Sequence, residues 1–372
     1  AFTGNETTNS FVITGTDASG NVQSETVTGA SATSVTSTKS YKTITSVVAT
    51  NATAANVSVG LAASDTISGA FSQVDVFNQT DKIDIANLTI SSASSISITS
   101  SVNKIDTLGD FDVGSSLTVK AIGHTAGMAL TGNVSATSVD IATGNGALIL
   151  GNFNITATAG NATLTGFGVT QGASSNVTAS NQVIVYGYDY NNANNRGVID
   201  LKGSIFAGNT SSSSVLIHGG GSNTILGNIT AGVLGNRGGL IIGDDSHYNV
   251  PSTGNNYWNW YSGNISQNSG TAIKVGQFSM RARDGTTGNV TLTNSGNEFR
   301  QIDRALRYGS FSLFDADTEG NNLNKAGRLD EGTTSNVVRI ATQGTLNVAS
   351  NTNGNTVVLE GSSITSDGNI NS

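Results

Sequence analysis

The segment 315–321 carries the residue types best suited to binding a hard cation. Its acids alternate along the chain, at Asp315, Asp317 and Glu319, and a glycine follows them. This order matches the opening of an EF-hand calcium loop, but Ala326 occupies the twelfth position, where a bidentate glutamate should complete the site. The missing ligand favours a solvated turn, with a metal site at the three acids as the alternative, and no cofactor is predicted.

Both tryptophans belong to one aromatic cluster, made of Tyr257, Trp258, Trp260 and Tyr261. Rings flanked by asparagine can stack on the apolar faces of sugars while amides bond the sugar hydroxyls. The same rings can instead pack on the flank of the protein or on a neighbouring subunit. We expect the cluster to be a contact surface, for a subunit or for a glycan.

Arginines are concentrated in a third segment. They are Arg281, Arg283, Arg300, Arg304 and Arg307, and acidic residues are interleaved with them. Locally balanced charge predicts ion pairs, on the surface or between subunits. An anionic-ligand site is the alternative.

Catalytic motifs are absent from the chain. The three histidines lie far apart without metal-ligand spacing, and no GxSxG, Walker or HExxH motif occurs. The net charge of −8 would repel nucleic acid and anionic lipid. No apolar run approaches the roughly 18 residues that span a bilayer. We therefore expect no enzyme activity, no nucleic-acid partner and no membrane insertion.

Short strands are the elements that must position these residues. Apolar pairs at alternate positions recur between Gly, Asn, Ser and Thr; examples are Leu88/Ile90, Ile96/Ile98, Leu117/Val119, Met128/Leu130, Val139/Ile141 and Leu148/Leu150. Such pairs predict strands of only a few residues. Their recurrence at roughly 9 to 12 residues predicts one stacked coil about every 19 to 22 residues. The predicted fold class is all-β, a parallel β-helix with a small N-terminal antiparallel β-domain.

Gly-Asn pairs precede many of the predicted strands. They include Gly132-Asn133, Gly151-Asn152, Gly160-Asn161, Gly227-Asn228, Gly263-Asn264 and Gly288-Asn289. Both residue types tolerate left-handed backbone, so the pairs mark corners between strands. This pattern resembles the passenger regions of filamentous-haemagglutinin-like and autotransporter adhesins. The resemblance covers most of residues 73–372 and implies a right-handed parallel β-helix, which we predict over residues 63–372, although the Asn-Pro motifs of two-partner secretion domains are missing.

The first 62 residues have a different pattern. Alternating segments at 11–14 and 22–27 flank a Gly/Asn/Asp turn, which predicts a hairpin. Further strands within 42–59 would complete a small β-sandwich-like domain over residues 1–62. The segments 13–21, 25–29 and 39–47 resemble a module of virion structural proteins and of large repetitive microbial surface proteins. That resemblance implies a structural role without catalytic residues.

Two aromatic and polar segments interrupt the repeat. We expect loop insertions near 186–196 and 244–262. In the segment 298–307, apolar residues at spacings of three and four predict a short helix.

The absence of cysteine fits an exported repeat protein, and the chain begins at Ala1, as expected after removal of a signal peptide. We therefore expect an extracellular or cell-surface location. Because a solenoid leaves unpaired strand edges at its ends, the main hypothesis is a structural subunit of an extracellular filament or cell-surface layer. Its partner would be another copy of itself, in a head-to-tail homopolymer. The alternatives are an adhesin or virion receptor-binding stalk that recognises glycans, and a polysaccharide lyase or hydrolase.

Overall fold

In a computed structural model the chain divides into two compact units, Ala1–Thr66 and Ile67–Ser372. The structure describes residues 2–17, 19–54, 57, 66–71, 74–76, 82–85, 89–100, 104–122, 127–189, 192–208, 210, 213–218, 223–233, 236–243, 263–281, 288–325, 329–331 and 337–371. All regular structure among them is β-strand. The predicted fold class, a parallel β-solenoid with a small N-terminal antiparallel sheet, is confirmed.

The N-terminal unit contains one three-stranded antiparallel sheet. Its strands are β1 (Ser10–Thr16), β2 (Val22–Thr28) and β3 (Thr43–Ala49), in the order β2-β1-β3. The predicted hairpin is confirmed, because β1 and β2 pair over their full length. Asp17 stabilises its turn, since Oδ1 accepts hydrogen bonds from the amides of Ser19 at 2.8 Å and Asn21 at 2.9 Å. The described residues of this unit form a single layer, without the second sheet of the expected sandwich.

The remaining strands lie in the rest of the chain, where all but a two-stranded antiparallel hairpin belong to the solenoid. They are β4 (Thr66–Phe71), β5 (Val74–Val76), β6 (Lys82–Ile85), β7 (Thr89–Ser100), β8 (Lys104–Leu108), β9 (Phe111–Ala121), β10 (Met128–Leu130), β11 (Val134–Ala136), β12 (Ser138–Thr143), β13 (Leu148–Gly151), β14 (Ile155–Ala157), β15 (Ala162–Thr165), β16 (Val169–Gln171), β17 (Asn176–Ala179), β18 (Gln182–Tyr186), β19 (Tyr188–Asp189), β20 (Asn192–Arg196), β21 (Ile199–Ala207), β22 (Ser214–His218), β23 (Asn223–Val233), β24 (Asn236–Arg237), β25 (Gly239–Gly243), β26 (Asn264–Gln267), β27 (Ile273–Arg281), β28 (Val290–Leu292), β29 (Glu298–Tyr308), β30 (Phe311–Asp315), β31 (Leu323–Lys325), β32 (Leu329–Glu331), β33 (Val337–Thr342), β34 (Thr345–Val348), β35 (Thr352–Asn353), β36 (Thr356–Glu360), β37 (Ser363–Ser366) and β38 (Ile370–Asn371).

Each coil contributes one strand to each of three parallel sheets. In the middle of the solenoid β14, β15 and β16 pair with β11, β12 and β13 of the preceding coil. On the other side they pair with β17, β18 and β21. In the middle of the solenoid many hydrogen bonds between neighbouring coils join residues 21 to 23 positions apart, such as Ser116 to Ser95 and Thr137 to Gly114, whereas the separation is 18 for Ser363 and Thr345 and 27 for Thr342 and Asp315. Separations of 21 and 22 agree with the predicted coil length of about 19 to 22 residues, and other coils depart from it.

The core is a stack of apolar side chains, one or more from each strand. One continuous series of Cα partners, here called the inner column, runs along the whole solenoid through Val76, Ile98, Val119, Ile141, Leu164, Val185, Ile217, Ile242, Met280, Ala305, Leu329, Thr352 and Ile370. Its members from Ile98 to Ala305 are completely or almost completely buried. Alternation of inward and outward side chains, the period of two that defines a strand, produces this column.

The short helix predicted at 298–307 is wrong, because this segment is the strand β29. Phe299, Ile302 and Ala305 all point into the core. The spacing of three between Ile302 and Ala305 arises from a register shift against β27, where Asp303 is an extra residue between the partners of Phe278 and Ser279; the spacing between Phe299 and Ile302 matches that of their partners Val275 and Phe278. A bulge of this kind inserts one residue into the alternation, so the apolar spacing imitates that of a helix.

Candidate functional site

An asparagine ladder joins successive coils at one corner of the solenoid. The side-chain oxygen of Asp110 accepts a hydrogen bond from the Asn133 amide at 2.7 Å. Asn133 accepts one from the Asn154 amide at 2.8 Å, and Asn154 from the Asn176 amide at 2.9 Å. Each side chain thus satisfies a backbone donor of the next coil, which fixes the stacking at the turn.

The glycine beside this ladder is required by close contact between coils. A Cβ atom on Gly132 would lie 2.5 Å from the backbone nitrogen of Asp110. Only glycine permits that approach, which explains why Gly precedes Asn133 at this corner. A similar ladder runs further along the chain, where Asn264 accepts from the Asn289 amide at 2.9 Å and Asn289 from the Ser310 amide at 2.8 Å.

A shallow surface groove of about 330 Å³ runs beside the first ladder. It is lined by Asp110, Phe111, Asp112, Asn133, Val134, Ser135, Asn154 and Thr156. The groove offers carboxylate, amide and hydroxyl groups to a polar ligand. The ring of Phe111 is buried in the core, so this lining presents no exposed aromatic face on which a sugar could stack.

The three acids of the possible metal site serve different partners. Asp315 is fully buried, and its oxygens accept hydrogen bonds from the Phe299 amide at 2.8 Å and from the Thr342 hydroxyl at 2.7 Å. Glu319 forms an ion pair with Arg300, with 3.4 Å between Oε2 and Nη2. Within the described ranges, no group of three or more acidic or histidine side chains is placed to hold a metal ion.

Burial dominates the electrostatics of Asp315. It raises the pKa of this carboxyl to about 6, against the lowering effect of the hydrogen bonds from Phe299 and Thr342. The nearby charges of Glu298 and Asp317 raise the pKa further. Glu298 is itself almost buried and accepts a hydrogen bond from the Thr318 amide at 2.8 Å. The buried hydrogen bonds of Asp315 therefore join coils, although burial disfavours the ionised form of its carboxyl group.

The arginines predicted to form intersubunit ion pairs are described only in part. Arg283 lies outside the described residues, as do the side chains of Arg281, Arg304 and Arg307. Arg300 pairs with Glu319 of its own chain. Other ion pairs also link partner strands, since Lys120 lies 2.6 Å from Asp140 and Arg339 lies 3.0 Å from Glu360. All of these pairs connect coils of one molecule.

The aromatic cluster Tyr257, Trp258, Trp260 and Tyr261 lies outside the described residues, within the insertion predicted at 244–262. The flanking strands nevertheless fix where that segment leaves the solenoid. Strands β18, β22 and β25 are stacked partners, so the connections that follow them begin at the same corner. The insertion predicted near 186–196 is the small antiparallel hairpin β19–β20, which follows β18.

An aromatic stack marks this insertion corner. The ring of Tyr186 lies 5.1 Å from that of His218, nearly parallel to it, and 5.2 Å from that of Tyr188. His218 is buried, and burial lowers its pKa to about 4, which keeps the ring neutral. The tyrosines are half-buried. Sequence reasoning identified the tyrosine-rich segment but not the histidine, whose stacking depends on a coil 32 residues further along the chain.

At the C-terminal edge, formed by β36, β37 and β38, the described core opens to solvent. These strands pair on one side only, with β33, β34 and β35. Ile364 is 45% exposed and Ile370 is 46% exposed, whereas their partners Leu346 and Thr352 are fully buried. Both isoleucines thus occupy positions that are buried in the preceding coil, and among the described residues no further strand pairs with theirs.

Comparison with protein families, curated proteins and solved structures found no match to this chain. The part of the chain that the structure describes contains no apolar helix of membrane-spanning length.

Proposed function

We propose that this protein is a structural subunit of an extracellular filament or cell-surface layer, and that it self-assembles head to tail through the ends of its solenoid. The exposure of Ile370, in an inner column whose members from Ile98 to Ala305 are buried, carries this proposal. Core-type side chains that lie open to water favour association with a surface that covers them.

The energetics of the C-terminal edge support association. Complete burial of an isoleucine side chain contributes about 1.5 to 3 kcal/mol, so covering the exposed half of Ile364 and of Ile370 contributes roughly 1 kcal/mol each. The edge strands also carry backbone groups without a partner strand, which a docked strand would pair.

Elsewhere on the solenoid, polar side chains mainly join coils. The asparagine ladder, the ion pair of Lys120 with Asp140 and the hydrogen bonds of Asp315 each connect one coil to another. Polar groups that connect coils in this way are expected in a structural scaffold.

The test replaces the two exposed isoleucines together, as Ile364→Lys with Ile370→Lys. Two ammonium groups in the C-terminal edge should abolish assembly, measured by light scattering over a range of concentrations and by electron microscopy. Ile149→Lys is the matched control, because Ile149 is also 45% exposed but lies in β13, in the middle of the solenoid. Unaltered protein that stays monomeric at every concentration, or a control variant that fails equally, would overturn the proposal.

A second candidate function is an adhesin or virion receptor-binding stalk that recognises glycans. The observation that favours it is the insertion corner, where the ring of Tyr186 stacks on that of His218 and lies 5.2 Å from that of Tyr188. Insertions that leave repeated coils on one side often form a binding face. Tyr188→Ala should then weaken binding to immobilised glycans, whereas Tyr41→Ala in the N-terminal unit should not. Equal binding by both variants would remove this candidate.

A further inference from the structure

We propose that the outer face of the sheet containing β11, β14 and β17 binds a linear polysaccharide without acidic groups, whose chain lies along the solenoid axis. The site consists of the groove beside the asparagine ladder and of the residues that continue its lining onto the next coils. It lies on the flank of the solenoid, so the inference does not depend on self-assembly.

A repeated triplet, asparagine followed by an apolar residue and by serine or threonine, builds this face. It occurs at 133–135, 154–156 and 176–178, in three successive coils. In each triplet the asparagine belongs to the ladder, the apolar residue is buried in the core, and the hydroxyl residue is partly exposed. Because side chains alternate along a strand, the hydroxyl residues of all three triplets lie on the outer face of the sheet.

These hydroxyl residues form a second row beside the ladder, here called the outer row. Its members are Cα partners on successive parallel strands: Asp112, Ser135, Thr156, Thr178 and Phe206. Adjacent strands lie about 4.8 Å apart, which is close to the length of one residue in an extended β-linked sugar chain such as cellulose. Successive sugar residues would therefore meet the same two groups, an amide and a hydroxyl, on successive coils.

The polar groups of this face are available to a ligand. Within the described part of the chain, the three hydroxyl groups of the triplets and the carboxylate of Asp112 have no hydrogen-bond partner. The ladder uses the Oδ1 atoms of Asn133 and Asn154, which leaves their Nδ2 groups as donors. Sugar hydroxyls both donate and accept, so they can bond to the carboxylate, the hydroxyls and the amide groups alike.

Phe206 supplies the aromatic surface that the groove lining lacks. Its side chain is partly exposed on the outer side of β21, where it follows Thr178 in the outer row. An aromatic ring can pack on the apolar face of a sugar ring. Four strand spacings, about 19 Å, separate Asp112 from Phe206, so only a chain of several sugar residues reaches both.

Charge restricts the class of polysaccharide. Asp110 and Asp112 are both exposed in the groove, and its lining contains no basic residue. The net charge of the whole chain is −8. Carboxylate or sulfate groups on a polysaccharide would be repelled here, whereas neutral sugars would be accepted and the ammonium groups of amino sugars attracted.

The test measures the binding of three hexasaccharides to the full chain by isothermal titration calorimetry. Cellohexaose is neutral, the glucosamine hexamer is cationic and the galacturonate hexamer is acidic. We expect binding of the first two and not of the third. Cellotriose should bind more weakly than cellohexaose, because it is too short to extend from Asp112 to Phe206. Retardation of the protein in a native gel that contains hydroxyethylcellulose provides a second measurement, which does not depend on a heat of binding.

Three variants locate the site, and a fourth is the control. Thr156→Val removes a hydroxyl group at nearly constant shape and should weaken cellohexaose binding about two- to tenfold, the range for one hydrogen bond. Phe206→Leu should weaken it as well, through loss of stacking. Asp112→Lys should weaken binding of the glucosamine hexamer more than that of cellohexaose. Thr163→Val, in β15 of the same coil but on the neighbouring sheet, is the matched control, because Thr163 is also partly exposed.

Several results would overturn this inference. One is the absence of binding to cellohexaose and to the glucosamine hexamer in calorimetry, together with unretarded migration in the gel. Another is equal affinity of Thr156→Val and Thr163→Val for cellohexaose. A galacturonate hexamer that binds as tightly as cellohexaose would contradict the charge argument. Self-assembly is measured separately by light scattering, so the proposed function stands or falls on other data.

Discussion

The substitution Asp315→Asn tests whether a buried charge lowers the stability of the solenoid. Asparagine keeps the shape of the side chain: its Oδ1 can still accept from the Phe299 amide, and its amide group can donate to the Thr342 hydroxyl. The variant therefore removes the ionisable group and retains the hydrogen bonds. Its effect should depend on pH.

The pKa shift gives the sign and the size of the effect. The pKa of Asp315 rises from the ordinary 3.8 to about 6 in the folded protein. Folding therefore favours the protonated carboxyl, and the resulting stabilisation is present below pH 3.8 and is lost as the pH rises through 6. A shift of about two pKa units corresponds to about 3 kcal/mol, at 1.36 kcal/mol per unit. The native carboxylate should be less favourable than asparagine by up to that amount at pH 7.5.

The assay is urea unfolding followed by circular dichroism, at several pH values between 4 and 7.5. The difference in unfolding midpoint between Asp315→Asn and the unaltered protein should grow in favour of the variant as the pH rises. Asp112→Asn removes an exposed carboxylate and controls for the change in net charge. A difference that stays constant over this range, or one that moves in the opposite direction, would refute the electrostatic reasoning.

Substitutions at three further positions probe the packing between coils, each measured by the same unfolding assay. Asn154→Ala removes the acceptor of the Asn176 amide and should cost about 1 kcal/mol, whereas Asn154→Asp keeps an acceptor and should cost less; equal losses would contradict the ladder. Gly132→Ala should destabilise by about 1 to 3 kcal/mol, since its Cβ would meet backbone at 2.5 Å, and a neutral result would show that the coils can shift there. Leu164→Ala should cost about 2 to 5 kcal/mol in the fully buried core, and a loss under 1 kcal/mol would contradict the packing of the inner column.

The hairpin in the N-terminal unit and the solenoid class could both be predicted from sequence, because each depends on local patterns. Alternating residues around the turn near Asp17 specify an antiparallel pair, and apolar pairs such as Val139/Ile141 specify short half-buried strands. The Gly-Asn pairs also predicted corners, but of their glycines only Gly151 has a positive φ, whereas Gly132 is required by its close contact with the preceding coil. The segment 298–307 was misinterpreted because a bulge alters local periodicity, and its position depends on the partner strand.

The tertiary structure alone decided which distant residues meet. Asp315 bonds Thr342 across 27 residues, and Tyr186 stacks on His218, because winding superimposes coils whose lengths vary with their insertions. The burial of the inner column has the same origin, because Ile141 and Leu164 are fully buried where the coils before and after them stack on them. The sequence thus determined which segments form short strands, and the stacking of coils determined which side chains lie in the core, in the asparagine ladder or at an edge.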